Sequence, residues 1–307
     1  CNFYMPIFEE ALDAYGLPLE LRYLPIIESA LNPSAVSRAG ASGLWQFMIG
    51  TGKIYGLESN SLVDERRDPI KATWAAARYL KEMYDIYGDW NLVIAAYNCG
   101  PGTINKAIRR ANGETDYWKI YNYLPKETRG YVPAFIAANY VMTYYCDHNI
   151  CPMETNIPAS TDTVQVNKNL HFEQIADLCN VPLDQIKSLN PQYKKQMIPG
   201  DSKPYTLRLP IDAISTFIDK QDTIYAHRAD ELFRNRKTVA IKEITPSTRK
   251  TTTAVAGKGK LTYYTIKSGD TLSTIAGKYG VTIKDIQRWN GMSNTKIAAG
   301  KRLKIYK

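Results

Sequence analysis

Histidine is scarce: the 307 residues hold three, His148, His171 and His227, widely scattered and in no ligand-spaced motif. Zinc peptidase chemistry needs clustered imidazoles, so it is disfavoured and no metal is expected. Cysteine is sparse as well, five residues and so an odd number. Cys99 has no thiol-nucleophile signature around it and reads as a buried, inert thiol. Cys146 and Cys151 are close enough in sequence for a local disulfide in an oxidising compartment. Long apolar runs are missing: a membrane helix needs roughly 18 or more uninterrupted apolar residues, and no stretch qualifies. No charged start, apolar run and cleavage site open the chain, which places any export signal upstream. Cys1 admits a lipid-anchored N-terminus, but a helical pattern (Met5, Ile7, Phe8, Ala11, Leu12) begins at once and favours a cut inside a longer protein.

What is present points to several globular units. A hydrophobic content of 44% over 307 residues supports real cores and two or three domains. The net charge of +9 is uneven: residues 1–155 carry 14 Lys/Arg against 17 Asp/Glu, and residues 156–307 carry 25 against 13. A basic C-terminal half suits anionic partners such as nucleic acid, a membrane surface or an anionic polymer, and composition alone does not choose between them. The 22 Tyr and 5 Trp favour stacking on sugar rings or bases. No compact basic-aromatic motif supports nucleic-acid binding, so none is expected.

Residues 1–155 read as a bundle of helices over Leu19–Leu31, Trp45–Tyr55, Pro69–Tyr87, Asn91–Tyr97, Thr103–Ala111 and Tyr131–Tyr145, closed by a Pro-rich passage around Pro152–Pro158. Asp64, Glu65 and Asp68 read as a solvated polar cluster. An internal repeat follows. Ile175, Ala176, Val181, Ile186 and Asn190 recur 100 positions later as Ile275, Ala276, Val281, Ile286 and Asn290. Each copy reads strand, helix, turn, helix, strand, with Tyr263–Ile266 and Arg302–Tyr306 as the strands of the second. The copies occupy 160–211 and 261–307. Between them, 212–260 reads as a helix over Ile211–Phe233 and then a flexible basic linker.

Glu28 follows Leu24 by one helical turn and precedes Leu31, an acid within an apolar stripe. Burial raises a carboxyl pKa, which suits a general acid near neutral pH; the plain alternative is a helix-edge Glu turned to water. Around it stand Ile27-Glu28-Ser29, a loop over Asn32–Ser42, then Gly43-Leu44-Trp45-Gln46-Phe47-Met48. Ala96-Tyr97-Asn98-Cys99-Gly100-Pro101-Gly102 and Glu127-Thr128-Arg129-Gly130-Tyr131-Val132 come later.

These four motifs, in this order over roughly residues 5–145, resemble the soluble lytic transglycosylase family of glycosidases. With C-terminal modules, the arrangement is most similar to that of the family's membrane-bound members. The resemblance implies a multidomain, mainly α fold: a goose-lysozyme-like helical catalytic domain followed by small βααβ domains of LysM type. It implies Glu28 as the single catalytic acid/base, Gln46 beside it on the substrate, Tyr97 and Asn98 on substrate, and Tyr131 orienting or polarising the acid. Ser37 is a candidate contact for an N-acetyl group, against a plain loop serine. Trp45, where Met is commoner, is either a sugar-facing wall or core packing, and Cys99 stands where small residues are usual.

Residues 264–306 resemble a LysM domain throughout, which implies a glycan groove at Gly269, Asp270, Thr271 and Leu272 and at Ile297 and Gly300. The earlier copy has Lys168-Asn169-Leu170-His171 in place of the Ser-Gly-Asp-Thr turn, so its grip on glycan stays open. No second acid belongs to a motif, whereas ordinary glycosidases place one about 5–5.5 Å or roughly 6.5–9.5 Å from the first. The implied reaction is transglycosylation of peptidoglycan strands without cofactor, in the periplasm or envelope. A goose-type lysozyme-like hydrolase and a non-catalytic wall-binding protein are the alternatives.

Overall fold

The computed structural model describes residues 3–151, 157–158, 160–233, 261–267, 270–290, 292, 297 and 300–306. The chain divides into two compact units, Cys1–Pro246 and Ser247–Lys307. The first opens with helix α1 (Met5–Ala14), a 3-10 turn (Leu19–Tyr23) and α2 (Leu24–Ser29). It continues with α3 (Ile49–Ile54), α4 (Pro69–Tyr87), α5 (Trp90–Cys99), α6 (Pro101–Arg110), α7 (Tyr117–Ile120) and α8 (Lys126–Thr143). The punctuation of α4 is chemical. Asp68 accepts from the Ile70 and Lys71 amides, Pro69 fills the first turn where no N–H partner exists, and Gly88 ends it at φ 63. Asp89 caps α5 in the same manner. Leu92 to Ala96 of α5 are all buried, so this short helix is the axis around which the domain packs.

Three expectations for this half are corrected. The stretch from Leu19 is not one helix but a 3-10 turn and a short α-helix, and Leu31 lies beyond it with a left-handed backbone. The helix expected from Trp45 begins at Ile49, because left-handed Gly43 (φ 90) and Gln46 (φ 47) turn the chain first. Asp64 and Glu65 are 1% and 5% exposed, not solvated. Asp64 takes a two-pronged bond from Arg66, Nε to Oδ1 at 2.9 Å and a terminal nitrogen to Oδ2 at 2.8 Å, so the buried charge is paired. Cys146 and Cys151, whose pairing the sequence leaves open, are both exposed and unbridged.

The first repeat copy contains β1 (Thr161–Val166), β2 (Asn169–His171), α9 (Phe172–Cys179), α10 (Leu183–Leu189), β3 (Met197–Pro199) and β4 (Tyr205–Pro210). β1 pairs antiparallel with β4, Thr161 opposite Pro210 and Val166 opposite Tyr205. The second ladder was not anticipated: β2 pairs with β3 through Asn169↔Pro199, Leu170↔Ile198 and His171↔Met197. The segment after β4 forms α11 (Ile211–Asp219), α12 (Gln221–Ala226) and α13 (Ala229–Leu232). Phe217 and Ile224 are fully buried in the core of this copy, so the helices belong to it physically.

The second unit is β5 (Leu261–Thr265), α14 (Leu272–Tyr279), α15 (Ile283–Trp289) and β6 (Arg302–Tyr306), with β5 and β6 antiparallel. Asn190 and Asn290 do the same work in the two copies. Each donates its amide to the carbonyl one turn back (Ile186 at 2.9 Å, Ile286 at 2.8 Å) and to the last strand (Arg208 O at 2.8 Å, Lys304 O at 2.9 Å). Each also accepts from that strand's amide at 2.9 and 2.7 Å. The expected linker after Phe233, the Pro-rich passage at 152–156 and Cys1 lie outside the described residues.

Candidate active site

Glu28 stands on the last turn of α2, where the backbone reverses through Ala30 (φ 50) and Leu31 (φ 59). Two successive left-handed residues with side chains cost roughly 1–2 kcal/mol each, strain of the kind held where function requires it. The next residue supplies the restraint: the Ser29 hydroxyl lies 2.9 Å from both the Pro25 and Leu44 carbonyls. Leu44 belongs to a tight turn, Ser42–Phe47, that acts as the hub of the site. Its carbonyls face different partners. Leu44 O accepts from Ser29, Trp45 O from the Tyr97 hydroxyl at 2.7 Å, and Phe47 O from Arg66 at 2.9 Å and the Ser42 amide at 3.1 Å. Gly43 is required at its corner, since a Cβ there would sit 1.7 Å from the Arg66 carbonyl oxygen.

The opposite wall comes from α8, whose Tyr131 hydroxyl donates to Glu28 Oε1. Pro133 inside this helix has no N–H to give the Arg129 carbonyl. The Tyr117 hydroxyl replaces it, donating at 2.9 Å, so the interrupted helix stays satisfied next to the acid. Burial pushes the Glu28 carboxyl up to about 7. The Tyr131 hydroxyl opposes that shift and the like charge of Glu127, one turn earlier on α8, adds to it. Burial and the Glu28 charge hold the Tyr131 and Tyr97 hydroxyls well above their ordinary range, so both stay protonated donors.

A groove of about 250 Å³ is lined by Gln46, Met48, Tyr79, Tyr97, Asn98 and Gly100 among others, and Tyr97 links it to the acid, whose charge acts on its hydroxyl. Tyr79 stacks obliquely between Tyr55 and Tyr97, ring centres 5.2 and 5.6 Å apart, an aromatic wall of the type that sugars pack on. The fold thus gathers Glu28, Gln46, Tyr97, Asn98 and Tyr131. Gln46 spends its amide nitrogen internally, donating to Gly43 O at 2.9 Å and Ala35 O at 3.3 Å. Asn98 Oδ1 accepts from the Thr128 hydroxyl at 2.8 Å. Ser37 is exposed, and its Oγ accepts from the Ala41 amide at 3.0 Å to close its own turn. Trp45 is a core residue, 1% exposed, its indole N–H donated to Thr73 at 2.9 Å; the sugar-wall reading is set aside. Burial pushes the Cys99 thiol up, away from reactivity.

Sequence reading missed Ser29, Arg66, Tyr79 and Thr128. The signal for Thr128 was present, since it lies three residues before Tyr131 and therefore near it on one helix face. Among the described residues, no group of His, Cys, Asp and Glu could hold a metal ion.

In the second unit Asp270 Oδ2 accepts from the Tyr264 hydroxyl and the Lys267 amide, both at 2.8 Å, and burial of neither partner drives this: hydrogen bonding holds the carboxyl below its ordinary value. Thr271 caps α14, and Gly300 (φ 86) donates its amide to Ile266 O at 2.8 Å. Leu272 is corrected to a core residue, 2% exposed, which leaves its side chain no surface for glycan. Ile297 is half-buried against the same core, and Gly269 lies outside the described residues.

Three protein families match the chain. The transglycosylase SLT domain matches residues 5–120, the LysM-like domain of lytic transglycosylase MltD residues 160–226, and the LysM domain residues 264–305. Membrane-bound lytic murein transglycosylase D of Escherichia coli (strain K12) is 33% identical over 296 residues, 94% of this chain and 60% of that protein. The chain thus spans less than two thirds of that relative. Soluble lytic murein transglycosylase of the same organism is 33% identical over 124 residues, 38% of this chain and 19% of its own. The crystal structure of the 70 kDa soluble lytic transglycosylase from Escherichia coli superposes with a TM-score of 0.41 at 29% identity, covering 47% of this chain and 24% of that one. No described helix is long and apolar enough to cross a membrane.

Proposed function

The chain belongs to the lytic transglycosylase family, and from that premise we propose that it cleaves the β-1,4 bond from N-acetylmuramic acid to N-acetylglucosamine in peptidoglycan, leaving 1,6-anhydro ends. The observation that carries the reading is the state of Glu28: a carboxyl with a pKa raised to about 7 is a proton donor at neutral pH. Glu28 protonates the oxygen leaving C1, and that C–O bond breaks. The substrate's own N-acetyl oxygen steadies the cationic carbon. The carboxylate then takes the proton of the same sugar's 6-hydroxyl, whose oxygen bonds to C1 and closes the anhydro ring. No water is consumed, and Glu28 regains its proton. Because attacking oxygen and target carbon belong to one ring, positioning supplies much of the acceleration.

Tyr131 holds the acid's orientation through its hydrogen bond, and Tyr97 and Gln46 shape the wall that faces the sugar. Exposed Glu127 is the carboxylate whose charge acts on Glu28, while buried Asp64 is tied up by Arg66. The C-terminal LysM unit is the proposed grip on the glycan, and the periplasm the proposed place of work. Mass spectrometry of products from purified sacculi tests the reading. Anhydro ends are expected; reducing ends would make the enzyme a lysozyme-like hydrolase, and no product would leave a wall-binding protein.

A further inference from the structure

The first LysM-like copy is joined to the catalytic domain by a specific set of bonds, and they lead to one place. Tyr193 bridges Val63, the Lys194 amide donates to Leu62 O at 2.8 Å, and the Asp64 amide donates to Gln192 O at 2.9 Å. The Lys194 ammonium donates to Asn60 O at 2.7 Å and lies 3.6 Å from Asp64 Oδ2. Asp64 holds Arg66 by its two oxygens. Arg66 in turn donates to Gly40 O at 2.8 Å and to Phe47 O at 2.9 Å, the two ends of the loop that carries Gln46. Every step in this relay is buried or half-buried: the Lys194–Asp64 contact is an ion pair at 3.6 Å, little screened by water, and the steps through Arg66 are charge-assisted hydrogen bonds fixed in direction.

The same copy has turned its strand–helix loops inward. β2 and β3 zip them together, and a Cβ on Gly200 would fall 2.3 Å from the Lys168 carbonyl oxygen, so backbone occupies the space between them. A module with its loops closed and its 192–194 segment spent on the neighbouring domain is built for attachment.

We propose that the first LysM-like copy is a strut for the active site: through Lys194 and Asp64 it fixes Arg66 as a positioning residue, which sets the Ser42–Phe47 turn against Glu28. The assignment rests on the lytic reading for its kinetic arm only.

The test uses the full chain. In Lys194→Met, hydrogen exchange at the amides of Ser42, Gly43 and Gln46 is expected to quicken at least tenfold while α5 amides keep their protection. Turnover on sacculi should fall about tenfold with KM and sacculus binding unchanged, a loss of about 1.4 kcal/mol in transition-state stabilisation. Lys194→Arg, which keeps the charge and the donors, should restore both. The double variant Lys203→Met/Tyr205→Phe cuts the same interface at Glu58, off the relay, and should leave the turn's exchange unchanged. Unchanged exchange in Lys194→Met, no recovery in Lys194→Arg, or equal loosening in the double variant would each overturn the strut. Absence of product from the unaltered chain would instead refute the lytic reading, and the exchange arm would still decide the strut.

Discussion

Glu28, half-buried, and Asp64, 1% exposed, are two carboxyl groups of the helical domain that end in opposite states. For both, burial is the largest influence and pushes the proton on. Glu28 meets a neutral hydroxyl and a like charge, and stays raised to about 7. Asp64 meets Arg66 by two hydrogen bonds and also feels Lys194 and Arg67, which together bring it below its ordinary value. The difference lies in the partner. A buried acid becomes a proton donor when its company is uncharged, and a structural bolt when its company is cationic.

The most damaging way to probe the contrast is at Glu28, the proposed donor. Glu28→Gln should lower turnover on sacculi by about 10²–10⁴-fold while sacculus binding persists; retention of turnover within tenfold would show that Glu28 is not the proton donor. At the bolt, Arg66→Leu removes both hydrogen bonds of buried Asp64 and leaves it only Lys194 at 3.6 Å, which should cost about 3 kcal/mol in denaturant unfolding. Adding Asp64→Asn should recover part of that loss, and a purely additive double variant would mean the two do not interact.

Acid–base behaviour sharpens the comparison at lower amplitude. Between its ordinary 4.5 and about 7, Glu28 holds a proton in the folded state that the unfolded chain has released, so its contribution to stability falls as pH rises through that window. Glu28→Gln should therefore stabilise the protein above pH about 7, on the order of 1–3 kcal/mol, and flatten the slope. Asp64 has the reverse sign: its contribution is present above its ordinary 3.8 and is lost as pH falls through its lowered folded value. Thermal melts across pH for Glu28→Gln and for Asp64→Asn alone, each against the unaltered chain, would separate the slopes, and slopes of one sign would contradict the assignment. The smallest effect is expected from Tyr131→Phe. Losing the hydroxyl that favours the carboxylate moves the alkaline limb of the rate profile upward and costs about tenfold in turnover. A downward move would mean that Tyr131 stabilises the protonated form.

Legibility in the sequence followed the range of the interactions. Helix α4 was placed at Pro69–Tyr87 because its stop signals are local. Glu28 and the repeat's Asn190 and Asn290 were visible from spacing and motif. The early start assigned to the Trp45 helix failed because the left-handed turn at Gln46 depends on contacts to Ala35 and Arg66, not on neighbours in sequence. The ion pair of Asp64 was hidden for a similar reason. Its second cation, Lys194, comes from another module, and nothing near residue 64 announces it. The β2–β3 ladder was masked by a pattern shared with the second copy, in which Asp270 and not Leu170 holds the turn.

The asparagines at 190 and 290 carry a last consequence. Each ties a helix end to the closing strand by two bonds, with a third back into its own helix, and uses no atom of the loops at the opposite edge. The stitch that keeps the motif together is thus independent of whatever its rim touches. Duplicated, such a unit is free to change trade: one rim can turn adhesive and the other blank, with neither copy having to relearn how to fold.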